Sequence, residues 1–153
     1  MEDLLYREAT QADLSILDIL AAEDEIGASR DALRPDHLDQ AREGLSAICA
    51  DPCHHLYMVE RTGDVVGSFQ LSFIPGVSRH GAWRGQIESV RVTKALRGQG
   101  IGEAMMCWAI ERCKERGCGI VQLTSDTNRE AAHRFYRRLG FRASHTGFKL
   151  KLG

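Results

Sequence analysis

The sequence has little net charge and no long apolar run. Its 153 residues carry 20 Lys and Arg against 21 Asp and Glu, a formal net charge of −1. No stretch approaches the roughly 20 consecutive apolar residues that a membrane-spanning helix needs. Charges of both signs are interspersed, without a like-charged tail that would bind nucleic acid or acidic lipid. We therefore expect neither nucleic acid nor a membrane among the partners.

Secretion and metal-binding signals are also missing. The N-terminus, MEDLLYREAT, lacks the basic segment and apolar core of a signal peptide. Five cysteines are an odd number for a disulfide framework. The segment CADPCHH, residues 49–55, fits no common zinc spacing, and no second pair of ligands complements it. The sequence predicts a cytoplasmic protein without a bound metal.

The length and a hydrophobic content of 43% fit one domain, residues 1–153, with a sizeable core. Apolar periodicity and turn residues predict a mixed α/β layer architecture. The predicted elements are strand 3–8, helices 11–25 and 35–50, strands 55–60, 65–74 and 85–93, helix 101–116, strand 119–125, a helix capped by Thr127 and ending near Leu139, and one or two strands within 141–152.

The segment KALRGQGIGEAMM, residues 94–106, places three glycines in five positions before an apolar helix. A P-loop needs Gly-Lys-Ser/Thr, which is absent. A dinucleotide fingerprint needs G-x-G-x-x-G, and here Glu103 or Met105 stands where its third glycine would fall. The remaining interpretations are a helix N-terminus whose free N–H groups hold a pyrophosphate, with Arg97 as an added cation, or a plain glycine-rich turn.

Two segments resemble one known family. RGQGIG is similar to the Q/R-x-x-G-x-G/A signature of the GNAT N-acetyltransferases, and AAHRFYRRLGF, residues 131–141, is similar to a later segment of that family. The resemblance covers essentially the whole domain and implies the α/β (α+β) GNAT fold. That fold has a mixed, mostly antiparallel sheet of six to seven strands and about four helices. The implied activity is transfer of an acetyl group from acetyl-CoA directly to the primary amine of a small molecule or peptide.

The resemblance also implies cofactor-binding residues. The strand carrying Val90, Arg91 and Val92 would splay from its neighbour and pair with the pantetheine arm. The family often has an asparagine that contacts the cofactor seven residues before the tyrosine that Tyr136 matches. This chain has Arg129 at that position and Asn128 one place earlier, so both are candidates for the contact. The pyrophosphate would be held by the backbone of the glycine loop and its flanking arginine: Arg97, Gly98, Gln99, Gly100, Ile101, Gly102 and Glu103.

Two residues are the catalytic candidates. Tyr136 matches the family tyrosine that protonates or hydrogen-bonds the departing CoA sulfur; otherwise it is a core tyrosine. Simple alternation puts Glu88 on one face with Val90 and Val92, and apolar neighbours would raise its pKa toward that of a general base. The alternative for Glu88 is an ion pair with an arginine such as Arg84 or Arg91. A backbone N–H at Val90 would polarise the thioester carbonyl.

The acceptor is the least defined partner. The loop PGVSRHGAWR offers Arg79, His80 and Trp83, cations and an aromatic ring that favour a substrate with a carboxylate. The acidic run Glu23 to Glu25 favours a polyamine or an aminoglycoside instead. An acyl-CoA-binding sensor or a catalytically silent partner-binding domain is the alternative function. A homodimer is compatible with the resemblance.

Overall fold

A five-stranded sheet organises the protein, of which the computed structural model describes residues 3–24 and 37–152. The strands lie in chain order, antiparallel except for the last pair, which is parallel. They are β1 Leu4–Glu8, β2 His54–Arg61, β3 Asp64–Ile74, β4 Trp83–Val92 and β5 Cys118–Gln122. The described helices are α1 Leu14–Ala22, α2 Leu38–Ala50, α3 Ile101–Glu115 and α4 Glu130–Arg138. The predicted mixed, mostly antiparallel architecture is confirmed.

The strand count differs from the predicted six to seven. Residues 142–152 form no strand and are exposed throughout, although FKLKL alternates as a strand would. A strand is stable only when it is paired and one face is covered, so alternation alone does not produce one. The helix predicted over 11–25 is a 3-10 turn, Gln11–Asp13, followed by α1, and its last residue lies outside the described part of the chain.

The main core lies between the sheet and α3. Leu71 and Ile87 face each other across β3 and β4, and both are buried against α3 residues such as Met105. Close approach of α3 requires a glycine: a β-carbon at Gly85 would collide with Cys113 Sγ. We call this side of the sheet the α3 face. The opposite side, the α1 face, carries a smaller cluster in which Leu45 and Met58 are buried.

An ion-pair cluster fixes β1 to the start of the first helix. The Arg7 guanidinium donates to both carboxylate oxygens of Asp13 at 2.8 Å and to Glu60 at 2.6 Å. The hydrogen bonds from Arg7 lower the pKa of Asp13 to about 2. Asp13 also accepts the Thr10 N–H at 2.7 Å, so a single carboxylate closes the β1–α1 connection. No helix in residues 3–24 and 37–152 is long and apolar enough to cross a membrane.

Candidate active site

Strand β4 changes its surroundings halfway along its length. Residues Arg84–Gln86 pair with β3 on one side and with β5 on the other, and β5 ends at Gln122, opposite Gln86. From Ile87 to Val92 only β3 borders the strand within the described residues. We call the space beside this open half of β4, which no described strand fills, the cleft. The cleft is where the sequence predicted a splayed strand.

A β-bulge interrupts the open half. Glu88 lies opposite Gln70 and Arg91 opposite Ser68, so three steps on β4 match two on β3. Ser89 takes up the extra residue with φ of +52°, which is unusual for a residue with a side chain. The bulge breaks the simple alternation on which the sequence prediction for Glu88 rested.

The predicted environment of Glu88 was consequently wrong. Val92 lies opposite Gly67 on the α3 face, and Val90 packs against the same core. Glu88 shares the α1 face with Arg91 and is exposed, rather than enclosed by apolar side chains. Among the described residues, no ion pair joins Glu88 to Arg84 or to Arg91, the two arginines of the predicted alternative.

The glycine loop follows the open half directly. Gly98 and Gly100 have φ of +77° and +82°, a left-handed conformation that glycine adopts at little cost. Gly100 is the N-cap of α3, which begins at Ile101 as the sequence predicted. The first N–H groups of a helix have no intrahelical acceptor, and they carry the positive end of the helix dipole. The loop therefore presents donors suited to an anion.

A cavity of about 310 Å³ joins this loop to α4. Two of its lining side chains, Phe135 and Arg138, come from α4 and were not predicted from the sequence. Arg138 could have been found from the sequence, because it lies two residues after Tyr136 in the segment that resembles the family. The lining residues are Val92, Leu96, Arg97, Gly98, Gly100, Ile101, Gly102, Glu103, Phe135 and Arg138.

Arg97 holds the loop in place. Its guanidinium donates to the backbone carbonyls of Val92 and Glu23, each at 3.0 Å. The Glu23 carboxylate in turn accepts the N–H of Lys94 at 2.7 Å. Arg97 thus fastens the loop to the end of β4 and to the end of α1, while its charge stays at the rim of the cavity.

Arg129 and Asn128 have different surroundings at the start of α4. The Arg129 guanidinium forms an ion pair with both oxygens of Asp24, at 2.7 and 2.6 Å. The two side chains are only 29% and 17% exposed, so Arg129 is not a solvated surface residue. Asn128 is exposed, and its N–H donates to the Asp126 carboxylate. The predicted Thr127 cap is wrong, because α4 starts at Glu130 with Arg129 as its N-cap.

Tyr136 lies partly buried on α4. Its ring is 5.3 Å from that of Phe135 and 6.0 Å from that of Phe141, centroid to centroid. Burial raises the pKa of the phenol, and the nearby positive charge of Arg129 opposes this shift. Since a free tyrosine already titrates near 10, Tyr136 keeps its proton at neutral pH.

A polar row crosses the α1 face where the cleft begins. His54, Ser72, Gln86 and Gln122 stand opposite one another on β2, β3, β4 and β5. His54 Nδ1 lies 2.8 Å from Ser72 Oγ, and Gln122 Nε2 donates to Gln86 Oε1 at 2.6 Å. The hydrogen bond between Gln86 and Gln122 links β4 to β5 at the last pair of the two strands. Gln86 lies two residues before Glu88.

The predicted acceptor residues lie at the other end of β4. Trp83 starts the strand, five residues or about 16 Å from Glu88 at the usual rise of a strand. The Arg116 guanidinium covers its ring at 3.9 Å, so Trp83 is engaged in packing. Arg79 and His80 are exposed in the preceding turn, with φ of +57° and +60°. The structure does not bring Trp83 to Glu88.

Side chains able to bind a metal are scattered. Within residues 3–24 and 37–152, no three or more His, Cys, Asp or Glu side chains form a group that could hold a metal ion. The five cysteines are all free thiols, and two of them, Cys49 and Cys107, are exposed. The pattern CADPCHH is divided between the end of α2 and the start of β2, and His55 contacts Glu8 of β1 at 2.7 Å.

Comparisons with known proteins identify the family. Residues 15–141 match the model of the acetyltransferase (GNAT) family. Aminoalkylphosphonate N-acetyltransferase of Salmonella typhimurium is 36% identical over 107 residues, 70% of this chain and 69% of that protein. Glucosamine 6-phosphate N-acetyltransferase of Trypanosoma brucei brucei is 37% identical over 100 residues, 65% of this chain and 63% of that protein.

Solved structures share the fold over nearly the whole chain. A crystal structure from Bacillus halodurans C-125, described as a transcriptional regulator, superposes with a TM-score of 0.88 at 41% identity, covering 97% of this chain and 99% of that one. A Trypanosoma brucei acetyltransferase gives a TM-score of 0.74 at 29% identity, with coverage of 98% and 100%. The chain belongs to the GNAT acetyltransferase family, whose members are acyltransferases that use acetyl-CoA as the acetyl donor.

Proposed function

We propose that this protein transfers the acetyl group of acetyl-CoA directly to the primary amine of a small molecule that also carries a phosphonate or phosphate group. The observation that carries the proposal is the open half of β4, Ile87–Val92, which leads straight into the glycine loop. An unpaired strand edge and a bare helix N-terminus are adjacent there, as an extended arm ending in a pyrophosphate requires.

The residues present fit acetyl-CoA. Space is open around Gly98, where a β-carbon would meet no atom within 4 Å. Arg138 and Arg97 add cations to the cavity, opposite the free amides of the helix start. In this proposal the backbone of residues 98–103 holds the pyrophosphate and that of Val90 to Val92 holds the pantetheine arm. When bound, acetyl-CoA supplies the activated acetyl thioester.

Two side chains would handle protons on either side of the cleft. Burial raises the pKa of Tyr136, so its phenol carries a proton at neutral pH. We assign it as the proton donor at the thiol end. Glu88 lies exposed beside the bulge and accepts a proton from the amine, directly or through water. The N–H of Val90, released from regular pairing by the bulge, is the donor we assign to the acetyl carbonyl.

The charges on the α1 face suit an acceptor with two functional groups. On this face of β4, Arg84 precedes Glu88 with Gln86 between them, and Arg91 follows beyond the bulge. A carboxylate between two guanidinium groups can receive an ammonium group and an oxyanion of the same molecule. Two relatives are named for acceptors of this kind, an aminoalkylphosphonate and glucosamine 6-phosphate. Support for the phosphonate or phosphate group therefore comes from this charge pattern and from those relatives.

The alternative is an acyl-CoA-binding sensor or a catalytically silent partner-binding domain. One observation favours it: the Bacillus halodurans structure, 41% identical, is described as a transcriptional regulator. A sensor on this fold would bind acetyl-CoA in the same cleft without needing Glu88 or Tyr136. The two functions therefore differ in turnover and not in cofactor binding.

A panel of amines tests the proposal. Thiol release and the mass of the product are measured with aminoalkylphosphonates, amino sugar phosphates, amino acids, polyamines and neutral amines of matched length. We expect kcat/KM at least tenfold higher for the phosphorus-bearing amines than for their neutral counterparts. Binding of acetyl-CoA without turnover of any amine would support the sensor instead.

A pair of arginine variants tests the oxyanion contact. Arg84→Met or Arg91→Met should raise KM for a phosphonate amine about tenfold, the value of one charged hydrogen bond, with little change for a neutral amine. Arg116→Met is the matched control, because Arg116 covers Trp83 at the other end of β4. Equal losses for both amines in all three variants would show a general structural effect and reject the oxyanion contact.

A further inference from the structure

The start of α4 is joined to a helix that is distant in the chain. Arg129, the N-cap of α4, donates to both carboxylate oxygens of Asp24, which lies just beyond the end of α1. Both side chains are largely buried, so water and salt screen this ion pair less than they screen ion pairs on the surface. Such a contact can fix the position of one helix relative to the other.

The end of α1 also contacts the opposite side of the cleft. The Glu23 carboxylate accepts the N–H of Lys94, and the Glu23 carbonyl accepts a hydrogen bond from Arg97. Lys94 and Arg97 follow the open half of β4, whereas Arg129 follows β5. Residues 23–24 therefore connect the two sides of the cleft, and we call them the α1 strap.

These contacts change the interpretation of the acidic run Glu23 to Glu25. The sequence favoured a polyamine or an aminoglycoside, because three neighbouring carboxylates would attract a cationic molecule. In the structure the Glu23 carboxylate is engaged by a backbone N–H, and that of Asp24 by a guanidinium. Glu25 lies outside the described residues. The two described carboxylates thus contact other parts of the protein itself.

Helix α4 depends on contacts of this kind for its position. None of its residues Glu130–Arg138 is fully buried, so apolar packing alone restrains the helix weakly. Arg129 precedes Tyr136 by seven positions, which is about two helical turns and a rise of roughly 10 Å. The ion pair and the phenol therefore lie on the same side of α4. A shift of the helix start would carry the phenol with it, and small displacements of a catalytic group are costly.

We propose that the ion pair between Arg129 and Asp24 holds α4 against the α1 strap, so that Tyr136 is fixed beside the open half of β4 during acetyl transfer. Arg129 is then a positioning residue, which acts through α4 and does not touch the cofactor. This inference rests on the proposed function, in which Tyr136 donates the proton to the sulfur. It departs from the resemblance, which implied a cofactor contact at the position of Arg129.

Steady-state kinetics and calorimetry test the ion pair in the wild type, Asp24→Asn, Arg129→Met and the double variant. We expect each single substitution to lower kcat about tenfold, the value of one charged hydrogen bond, and to leave the Kd of acetyl-CoA nearly unchanged. The double variant should lose no more than either single variant, because both substitutions remove the same interaction. Arg129→Lys keeps the positive charge and should recover part of the lost kcat.

Asp13→Asn is the matched control, because Asp13 forms a comparable ion pair with Arg7 at the other end of α1. It should lose stability toward urea and keep its kcat. An equal fall of kcat in Asp13→Asn and Asp24→Asn would overturn the inference, and so would additive losses in the double variant. A raised Kd of acetyl-CoA in Arg129→Met but not in Asp24→Asn would equally overturn it, since Arg129 would then contact the cofactor.

Hydrogen exchange distinguishes a failure of this inference from a failure of the proposed function. In Asp24→Asn, the Lys94 N–H and the amides of residues 133–138 should exchange faster than in the wild type, because the α1 strap and α4 are no longer held together. If the wild type turns over no amine, the proposed function fails, and exchange still decides whether the ion pair holds α4. Unchanged exchange at both places would overturn the inference whatever the activity.

Discussion

Among the described residues, strand β4 has neighbours on both sides over Arg84–Gln86 and β3 alone over Ile87–Val92. The closed half is packed so tightly that Gly85 has no room for a side chain beside Cys113. The open half has a bulge, an exposed carboxylate and a glycine loop at its end. One strand of ten residues thus serves stability in its first half and, as we propose, ligand binding in its second.

The largest expected effect concerns the proton donor beside the open half. Tyr136→Phe should lower kcat by roughly 10²- to 10⁴-fold, the usual contribution of a positioned acid, and leave the Kd of acetyl-CoA nearly unchanged. Steady-state kinetics and calorimetry measure the two quantities. Tyr57→Phe is the matched control, since Tyr57 is also partly buried but packs against Trp108 on the α3 face, with ring centroids 4.8 Å apart. A Tyr136→Phe enzyme with normal kcat would remove Tyr136 from the mechanism.

The closed half should be sensitive to volume. Gly85→Ala should lower the free energy of unfolding by about 3 kcal/mol, because the added methyl group meets the Cys113 side chain in a packed core. Urea denaturation measures this change. Cys113→Ala in the same chain should restore part of the loss by removing the sulfur atom. If Gly85→Ala is as stable as the wild type, the closed half is looser than described.

The ion pairs at β1 provide a contrast far from the cleft. Asp13→Asn should cost about 2 kcal/mol of stability, from the lowered pKa of this buried carboxylate. Since its folded pKa of about 2 lies below the ordinary value of 3.8, the ionised form stabilises the fold. This contribution is complete above about pH 4 and is lost as the pH falls toward 2.

Urea midpoints between pH 2 and pH 7 check this dependence. The Asp13→Asn protein should show a smaller loss of stability than the wild type across that window. Its affinity for acetyl-CoA at pH 7 should be unchanged, because Asp13 lies at the start of the first helix and not in the cavity. An equal pH dependence in both proteins would contradict the assignment to this carboxylate.

The smallest effect on stability is expected in the glycine loop. Gly98→Ala should change the free energy of unfolding by only about 1 kcal/mol, the cost of a left-handed alanine, because no atom lies within 4 Å of the new β-carbon. Its Kd for acetyl-CoA should nonetheless rise about tenfold if the loop holds the pyrophosphate. Gly85→Ala is expected to lower stability and Gly98→Ala to lower affinity for acetyl-CoA. The two substitutions together therefore distinguish an effect on folding from an effect on binding. Unchanged affinity in Gly98→Ala would remove this loop from the binding site.

Sequence reasoning succeeded where local signals and fold agree. The three glycines and the apolar periodicity placed the start of α3 at Ile101, where the structure has it. The glycine segment and the segment around Tyr136 together indicated the family, which the match over residues 15–141 confirms. Local patterns of this kind depend on neighbours in the chain, which a sequence displays directly.

Sequence reasoning failed where contacts between residues distant in the chain determine the structure. The bulge at Ser89 depends on how β4 registers against β3, and no neighbour of Glu88 in the sequence reports it. The ion pair of Arg129 with Asp24 joins residues 105 positions apart. Residues 148–152 show the opposite error, because their apolar alternation predicted a strand that the structure does not form.

Amide hydrogen exchange with and without acetyl-CoA tests the open half of β4 most directly. We expect the ligand to slow exchange at residues 87–92 and 98–103, and to leave Arg84–Gln86 unchanged, because those residues are already paired on both sides. Unchanged exchange over 87–92 and 98–103 at saturating acetyl-CoA, with slowing elsewhere, would contradict the proposed binding site.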